Sequence, residues 1–248
     1  MWIGACTSSI GTWMQIVAQG WLIYRLSHSS FLLGLDQFLG GLPIFLFTLI
    51  GGVVSLAIVQ WGGQTPLVVG AVFFFMALIL AGHMLPLLGI SNERKNKNLA
   101  FVMSLPVSSI QYTTSKLISN VAMFLIPWLT LVTAAVLLIE VRGMIPRGSI
   151  PVLLILSLLP FLGFCLITGA ALVGESEGWG IAANVFCSST YGLTWYFLTQ
   201  VPDLAVNAEK AAPVWNSTAL KILGGEALMI PVMLGFTYFF QSRKRDFV

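Results

Sequence analysis

The chain has 248 residues, of which 57% are hydrophobic and only 8% are charged, and its formal net charge is +3. Soluble domains carry roughly 25% charged residues, so this composition excludes a soluble protein and predicts an integral membrane protein. The few positive charges stand beside apolar segments, which indicates topology signals rather than a nucleic-acid partner.

Seven long apolar segments are candidate membrane spans, because a spanning helix needs roughly 20 apolar residues. They cover residues 10–25, 31–59, 66–90, 117–139, 150–173, 179–200 and 220–241. The first is short and contains Trp and Gln residues, a pattern that also suits a helix lying in the membrane interface. In the second, two glycines precede Pro43 and predict a break. The fold class is therefore an all-α polytopic bundle of about six spans plus an N-terminal hydrophobic or interfacial helix.

The orientation follows from the placement of Lys and Arg. Residues 91–116 hold four of the twelve positive residues, and the C-terminal end adds Arg243, Lys244 and Arg245. The positive-inside rule then places both regions in the cytoplasm of a multi-pass protein in the plasma or inner membrane. Alternation of the spans places three loops outside, which cover residues 60–65, 140–149 and 201–219.

The segment 91–116 divides at a proline. Pro106 disfavours helical conformation at the residue before it, so an amphipathic helix should end there. Ser108 and Gln111 have the S-x-x-Q spacing of a capping box, which predicts a second helix that begins near Ser109. We expect a helix, a corner and a helix at the cytoplasmic face.

The same segment, "ERKNKNLAFVMSLPVSSIQYTTSK", resembles the signature of the type-2 family of ATP-binding-cassette exporter permeases. The resemblance implies that this loop contacts a separate ATPase subunit and couples its closure to the membrane helices. It extends in layout over roughly residues 44–248 and implies a permease domain at 53–248. The residues to which it assigns coupling are Glu93, Arg94, Leu99, Ser104, Leu105, Pro106, Val107 and Lys116.

A permease of this kind implies an exporter that is not itself an enzyme. The sequence contains no G-x-x-x-x-G-K-[ST] phosphate loop, so ATP would be bound by the partner ATPase, and the chain needs no cofactor. The resemblance also implies a dimer with a second permease copy or a paralogue. No catalytic residue is predicted, because neither of the two histidines accompanies a G-x-S-x-G elbow.

A second resemblance covers the N-terminus. Residues 8–52 look like the first two spans of major-facilitator efflux transporters, which defines an N-terminal segment 1–52. The two resemblances require opposite crossing directions near Gly52. A fusion with its junction near "LPIFLFTLIGG" is our preferred interpretation; an interfacial helix at 8–25 or an N-terminus outside the cell would also resolve the conflict. The matching residues are Ser9, Gly11, Trp13, Gln15, Ala18, Trp21, Leu22, Tyr24, Leu26, Ser30, Leu33, Gly34, Leu42 and Pro43.

Two alternative functions therefore stand beside the ATP-driven permease. A secondary, facilitator-like efflux transporter or a fragment of one would use an ion gradient, and intramembrane carboxylates are its candidate proton-relay groups. These are Asp36 and Glu226, each near the start of its predicted segment. The other alternative is a membrane protein that binds a partner without transporting anything.

The candidate substrate path lies on the segment 179–200. Tyr191, Thr194 and Trp195 give this segment a polar and aromatic face, although small hydroxyl residues also serve helix packing. The three cysteines are isolated and predict neither a metal site nor a disulfide framework. His83 has the surroundings of a packed or interfacial residue.

Overall fold

The computed structural model describes residues 29–87, 90, 109–143, 145–174 and 177–243, with several positions between 18 and 27. Over these residues the regular structure is helical and contains no strand, which confirms the predicted all-α polytopic bundle. The α-helices are α1 Ser30–Val59, α2 Gln64–Pro86, α3 Ser109–Arg142, α4 Ile150–Val173, α5 Glu177–Thr199, α6 Pro202–Ala208 and α7 Ser217–Arg243. A 3₁₀ turn, Arg147–Ser149, precedes α4.

Five helices in the described part of the chain are long and apolar enough to cross a bilayer. The chain is therefore a multi-pass membrane protein. Helix α5 has 23 residues but is not among the five, since its many hydroxyl side chains make it less apolar. The predicted span at 10–25 lies mostly outside the described residues. The five stretches are Phe38–Val59, Gln64–Pro86, Lys116–Arg142, Arg147–Val173 and Ser217–Gln241.

Helix α1 continues through Pro43, so the predicted break at this position was wrong. Without water to compete for backbone groups, neighbouring helices and local adjustments let a membrane helix tolerate glycine and proline. Gly41 also has a packing role, because a Cβ there would overlap the Met123 side chain of α3. The small residue allows α1 and α3 to approach closely, and this contact supports the helix where its own propensity is weakest.

Helix α4 is the centre of the bundle and packs against α2, α3, α5 and α7. Phe164 of α4 is completely buried and stacks on Phe124 of α3, with ring centroids 4.8 Å apart. Trp128 of α3 donates its indole N–H to the Ser157 carbonyl at 2.7 Å, one turn before Pro160. These contacts hold the middle of α4 against α3.

Two loops meet at one end of the bundle. The backbone N–H of Gly148 donates to the Lys210 carbonyl at 2.9 Å, which joins the loop after α3 to the loop after α6. Arg147 closes the first loop by an ion pair with Glu140, with 3.0 Å between Nε and Oε2. The predicted alternation of spans requires these two loops to lie on the same side, and the structure places them together.

Candidate functional site

A cavity of about 370 Å³ lies between α2, α4 and α5. Both α2 and α5 pack against α4, which forms the cavity floor. The lining side chains are hydrocarbon or thioether except for one tyrosine and one tryptophan. Representative lining residues are Val72, Met76, Ile79, Pro160, Tyr191 and Trp195.

The cavity opens on the outer surface of the bundle. Met76 on α2 and Trp195 on α5 flank it and are 60% and 56% exposed. Because the outer surface of a membrane bundle faces lipid, a molecule dissolved in the bilayer can reach the cavity without crossing water. A tryptophan at such an opening offers a large apolar surface and one hydrogen-bond donor.

Tyr191 connects the cavity to the interior of the bundle. Its hydroxyl lies 3.2 Å from Nε2 of His83 on α2, and the two rings are 5.5 Å apart between centroids. His83 is only 6% exposed, so this contact lies inside the bundle. This polar contact links α2 to α5 beside a cavity that is otherwise apolar.

Glycine at position 163 of α4 makes room for the tyrosine. A Cβ at Gly163 would overlap the Tyr191 hydroxyl, so any larger residue there would displace the ring. Cys187, one turn before Tyr191, directs its Sγ towards the Gly163 carbonyl at 3.9 Å. Residues 187, 191 and 195 recur every four positions, so they share the face of α5 that meets α4 and the cavity.

Two of the three residues predicted for a substrate path lie at this cavity. Tyr191 and Trp195 line the cavity, whereas Thr194 is half-buried and is not among the lining residues. The sequence analysis placed His83 in packing, and the structure adds its bond to Tyr191. The apolar wall supplied by α2 carries no sequence signal, because a cavity wall and a lipid-facing surface use the same residue types.

Most of the predicted coupling segment lies outside the described residues. This applies to Glu93, Arg94, Leu99, Ser104, Leu105, Pro106 and Val107. The predicted second helix is confirmed, since α3 begins at Ser109. Lys116 lies on this helix and is 7% exposed, with its carbonyl accepting a bond from Asn120 at 3.0 Å.

The two carboxylates that were candidates for a proton relay occupy different environments. Asp36 is half-exposed, precedes the apolar stretch Phe38–Val59 and accepts a hydrogen bond of 2.5 Å from the Gln19 amide. Glu226 lies well inside α7 and is only 9% exposed. The sequence analysis placed Glu226 near the start of its segment, and the helix bounds correct this.

The described part of the chain contains two free cysteines and no cluster of metal-ligating side chains. No group of three or more His, Cys, Asp or Glu side chains there could hold a metal ion. Cys165 and Cys187 are free thiols buried between helices, as the sequence analysis expected of small apolar residues, and Cys6 lies outside the described residues. The hydrogen-bonding groups at the cavity are suited to binding.

A family described as transmembrane secretion effector, MFS_3, matches residues 1–109. No curated protein and no solved structure matches the chain. The family match includes the whole segment 8–52 that resembles facilitator spans and continues beyond it. It supports a role in membrane transport or efflux for a multi-pass membrane protein. The comparisons give no support to the resemblance to ATP-binding-cassette permeases.

Proposed function

We propose that this chain is an efflux protein that takes an apolar or amphipathic molecule from the bilayer into the cavity between α2, α4 and α5. One observation carries the proposal: a space of about 370 Å³ opens towards the lipid and is lined by apolar side chains together with Tyr191 and Trp195. Small-molecule sites are typically concave and mostly apolar, with a few polar groups that orient the ligand.

The lining restricts the substrate class. A charged group would lose its hydration in this cavity without finding an opposite charge, so the part of the substrate that enters is uncharged. Tyr191 and Trp195 lie at the α5 side, where each offers a ring face and one polar group. The expected substrate is therefore a lipophilic molecule with a hydrogen-bond acceptor at one end.

An ion gradient is the energy source that we propose. The family match over residues 1–109 supports it, and so does the resemblance of residues 8–52 to the first spans of major-facilitator efflux transporters. In this proposal the protein lies in the plasma or inner membrane with its C-terminus in the cytoplasm, as the distribution of Lys and Arg indicates.

A permease driven by a separate ATPase is the second candidate function. It is favoured by the start of α3 at Ser109, directly after the S-L-P-V-S sequence that resembles the permease signature. In that case residues 93–107 and Lys116 would contact the ATPase, and a second permease copy would complete the transporter. ATP would again be bound only by the partner.

Export of the neutral lipophilic dye Nile red from preloaded cells tests the proposal. Cells that express the chain should lose dye faster than cells without it, and V72W should reduce the protein-dependent rate at least about tenfold by filling the cavity. The matched control is V53W, since Val53 is 59% exposed on the outer face of α1 and does not line the cavity. Its rate should equal that of the unmodified protein.

A protonophore separates the two energy sources. Dye export that stops when the proton gradient collapses, while cellular ATP is maintained, supports the ion-driven proposal. Export that continues under the same conditions supports the permease with a partner ATPase. Dye binding without any export would favour the third alternative, a membrane protein that does not transport. Equal effects of V72W and V53W would contradict the role of the cavity.

A further inference from the structure

Glu226 is a buried carboxyl group at the depth of the bilayer core. It lies three residues from the middle of the stretch Ser217–Gln241, which is about 4.5 Å along a helix axis. Its side chain is 9% exposed, and Oε2 is buried without a hydrogen-bond partner. A polar atom in this state is rare in proteins and calls for a functional explanation.

The carboxyl group belongs to the face of α7 that packs on α4. Ala219 and Thr237 are the buried residues on either side of it along α7, at spacings of seven and eleven that keep all three on one face. Ala219 packs with Ile155 of α4, and Thr237 lies against Gly169. The two helices therefore run parallel, and the two contacts together place Glu226 level with residues 158–162 of α4.

This level contains Pro160, which also lines the cavity. On the side of α2 and α5, this turn of α4 borders the cavity. On the side of α7, it lies at the same height as Glu226. A proline in a helix removes one backbone hydrogen bond, so this turn bends more easily than the rest of α4. A molecule that presses on the turn from the cavity would therefore change the packing around the carboxyl group.

Among the described residues of α3, α4 and α7, no Lys or Arg shares the level and face of Glu226. Helix α4 contributes one ionisable side chain, the completely buried Cys165. In α3, Trp128 is level with Ser157, and Lys116 and Glu140 each lie twelve residues away from it, about 18 Å along the axis. Neither of these α3 charges neutralises a carboxylate at the level of Glu226.

Helix α6 also packs against α7 and contributes Asp203. Asp203 accepts a hydrogen bond from Thr218 at 3.4 Å. Thr218 lies eight residues before Glu226, which is about 12 Å along the axis of α7. Lys221 of α7 lies five residues before Glu226, on a different face and exposed. The other ionisable positions of α3 and α7, farther along their axes, are Tyr112, Arg142, Tyr238 and Arg243. An unpaired carboxylate here would be poorly stabilised, so the packing of α4 and α7 favours the neutral carboxyl group.

We propose that Glu226 is the proton-binding site of the transport cycle, coupled to the cavity through the Pro160 turn of α4. When a molecule fills the cavity and shifts this turn, water reaches the carboxyl group, its O–H bond breaks, and the proton passes to water. Rebinding of a proton to the carboxylate restores the packed state. This inference rests on the proposed function and assigns its ion. Glu226 lies outside the residues 1–109 that match the efflux family.

Infrared difference spectroscopy of the purified protein in lipid nanodiscs tests the resting state. The unmodified protein should show, at neutral pH, the carbonyl band of a protonated carboxyl group that shifts in deuterated water. The band should be missing in E226Q and present in E209Q, the control at an exposed glutamate. A spectrum without the band in the unmodified protein, or one that keeps it in E226Q, would overturn the proposal.

Proton release on dye binding tests the coupling. Nile red has no titrating group near neutral pH and is added to the protein in weak buffer. Binding in the cavity is measured as the part of the dye fluorescence that V72W abolishes. The unmodified protein and E209Q should release protons on binding. E226Q should bind dye but release at least about fivefold fewer protons. E226D retains a carboxyl group and should restore proton release. This variant keeps the test decisive if E226Q folds poorly.

The outcomes separate this inference from the proposed function. Dye binding without proton release in the unmodified protein, or equal release from E226Q, overturns the role of Glu226 and leaves the cavity as the substrate site. A lack of V72W-sensitive binding contradicts the cavity, and the coupling proposal fails with it. Release that depends on both Val72 and Glu226 supports the coupling.

Discussion

The two sides of α4 differ in how completely they are filled. On one side, α7 packs along α4 in parallel, and Glu226 is buried at their contact. On the other side, α2 and α5 leave a cavity of about 370 Å³ at the same turn of the helix. Within a bilayer, apolar burial gives little net driving force between helices, so side-chain fit decides which faces close and which remain open. A membrane protein can therefore have a rigid contact and a binding space on opposite faces of one helix.

The largest expected effect comes from a substitution in the packed region. Phe164→Ala removes a completely buried ring that stacks on Phe124, and we expect a loss of about 3 kcal/mol in the free energy of unfolding. Reversible unfolding in SDS-containing mixed micelles measures it. Phe240→Ala is the matched control, because Phe240 is 51% exposed and should change stability by about 0.5 kcal/mol or less. Equal losses at the two sites would show that α4 is not a packed centre.

A smaller effect is expected where the packed and open regions meet. Gly163→Ala places a Cβ where the Tyr191 hydroxyl lies, and the forced displacement should cost about 1–3 kcal/mol and weaken Nile red binding. Gly192→Ala on α5 is the control, since a Cβ there meets nothing within 4 Å. Alanine is the better helix former, so the control should gain about 0.5–1 kcal/mol. A gain at both positions would contradict the close approach of α4 and α5.

The smallest effect is expected for the polar contact beside the cavity. Tyr191→Phe deletes the hydroxyl that bonds His83 at 3.2 Å, and interhelical hydrogen bonds in membranes contribute about 0.6 kcal/mol on average. The same unfolding assay, with Tyr238→Phe as a control at an exposed tyrosine of α7, measures it. If both variants match the unmodified protein, the bond orients Tyr191 without stabilising the fold.

The sequence analysis named two residues that line the cavity. It assigned Tyr191 and Trp195 to a polar and aromatic face of the segment 179–200, and both side chains line the cavity. Thr194 was expected there and is not among the lining residues, since it is one position off the four-residue repeat. The bond between His83 and Tyr191 joins residues 108 positions apart, which no local pattern can show.

The fold was predictable to a similar degree. The lengths of the apolar segments predicted the long helices, and the capping-box spacing predicted the start of α3 at Ser109. The predicted break at Pro43 was wrong because helix propensity describes an isolated chain, whereas contact with α3 supports α1 in the bundle. The depth of Glu226 depended on helix bounds that extend beyond the predicted segment at both ends.

By itself, the sequence determined that this protein is a membrane protein built from long helices. Its long apolar segments are stable in lipid, where a helix satisfies the backbone hydrogen bonds that water cannot. It also determined the chemistry available on each helix. Only the tertiary structure decided which faces meet, which side of α4 stays open and how deep Glu226 is buried. The physical reason is that apolar side chains look alike in sequence whether they face lipid, another helix or a cavity, and only their fit distinguishes these places.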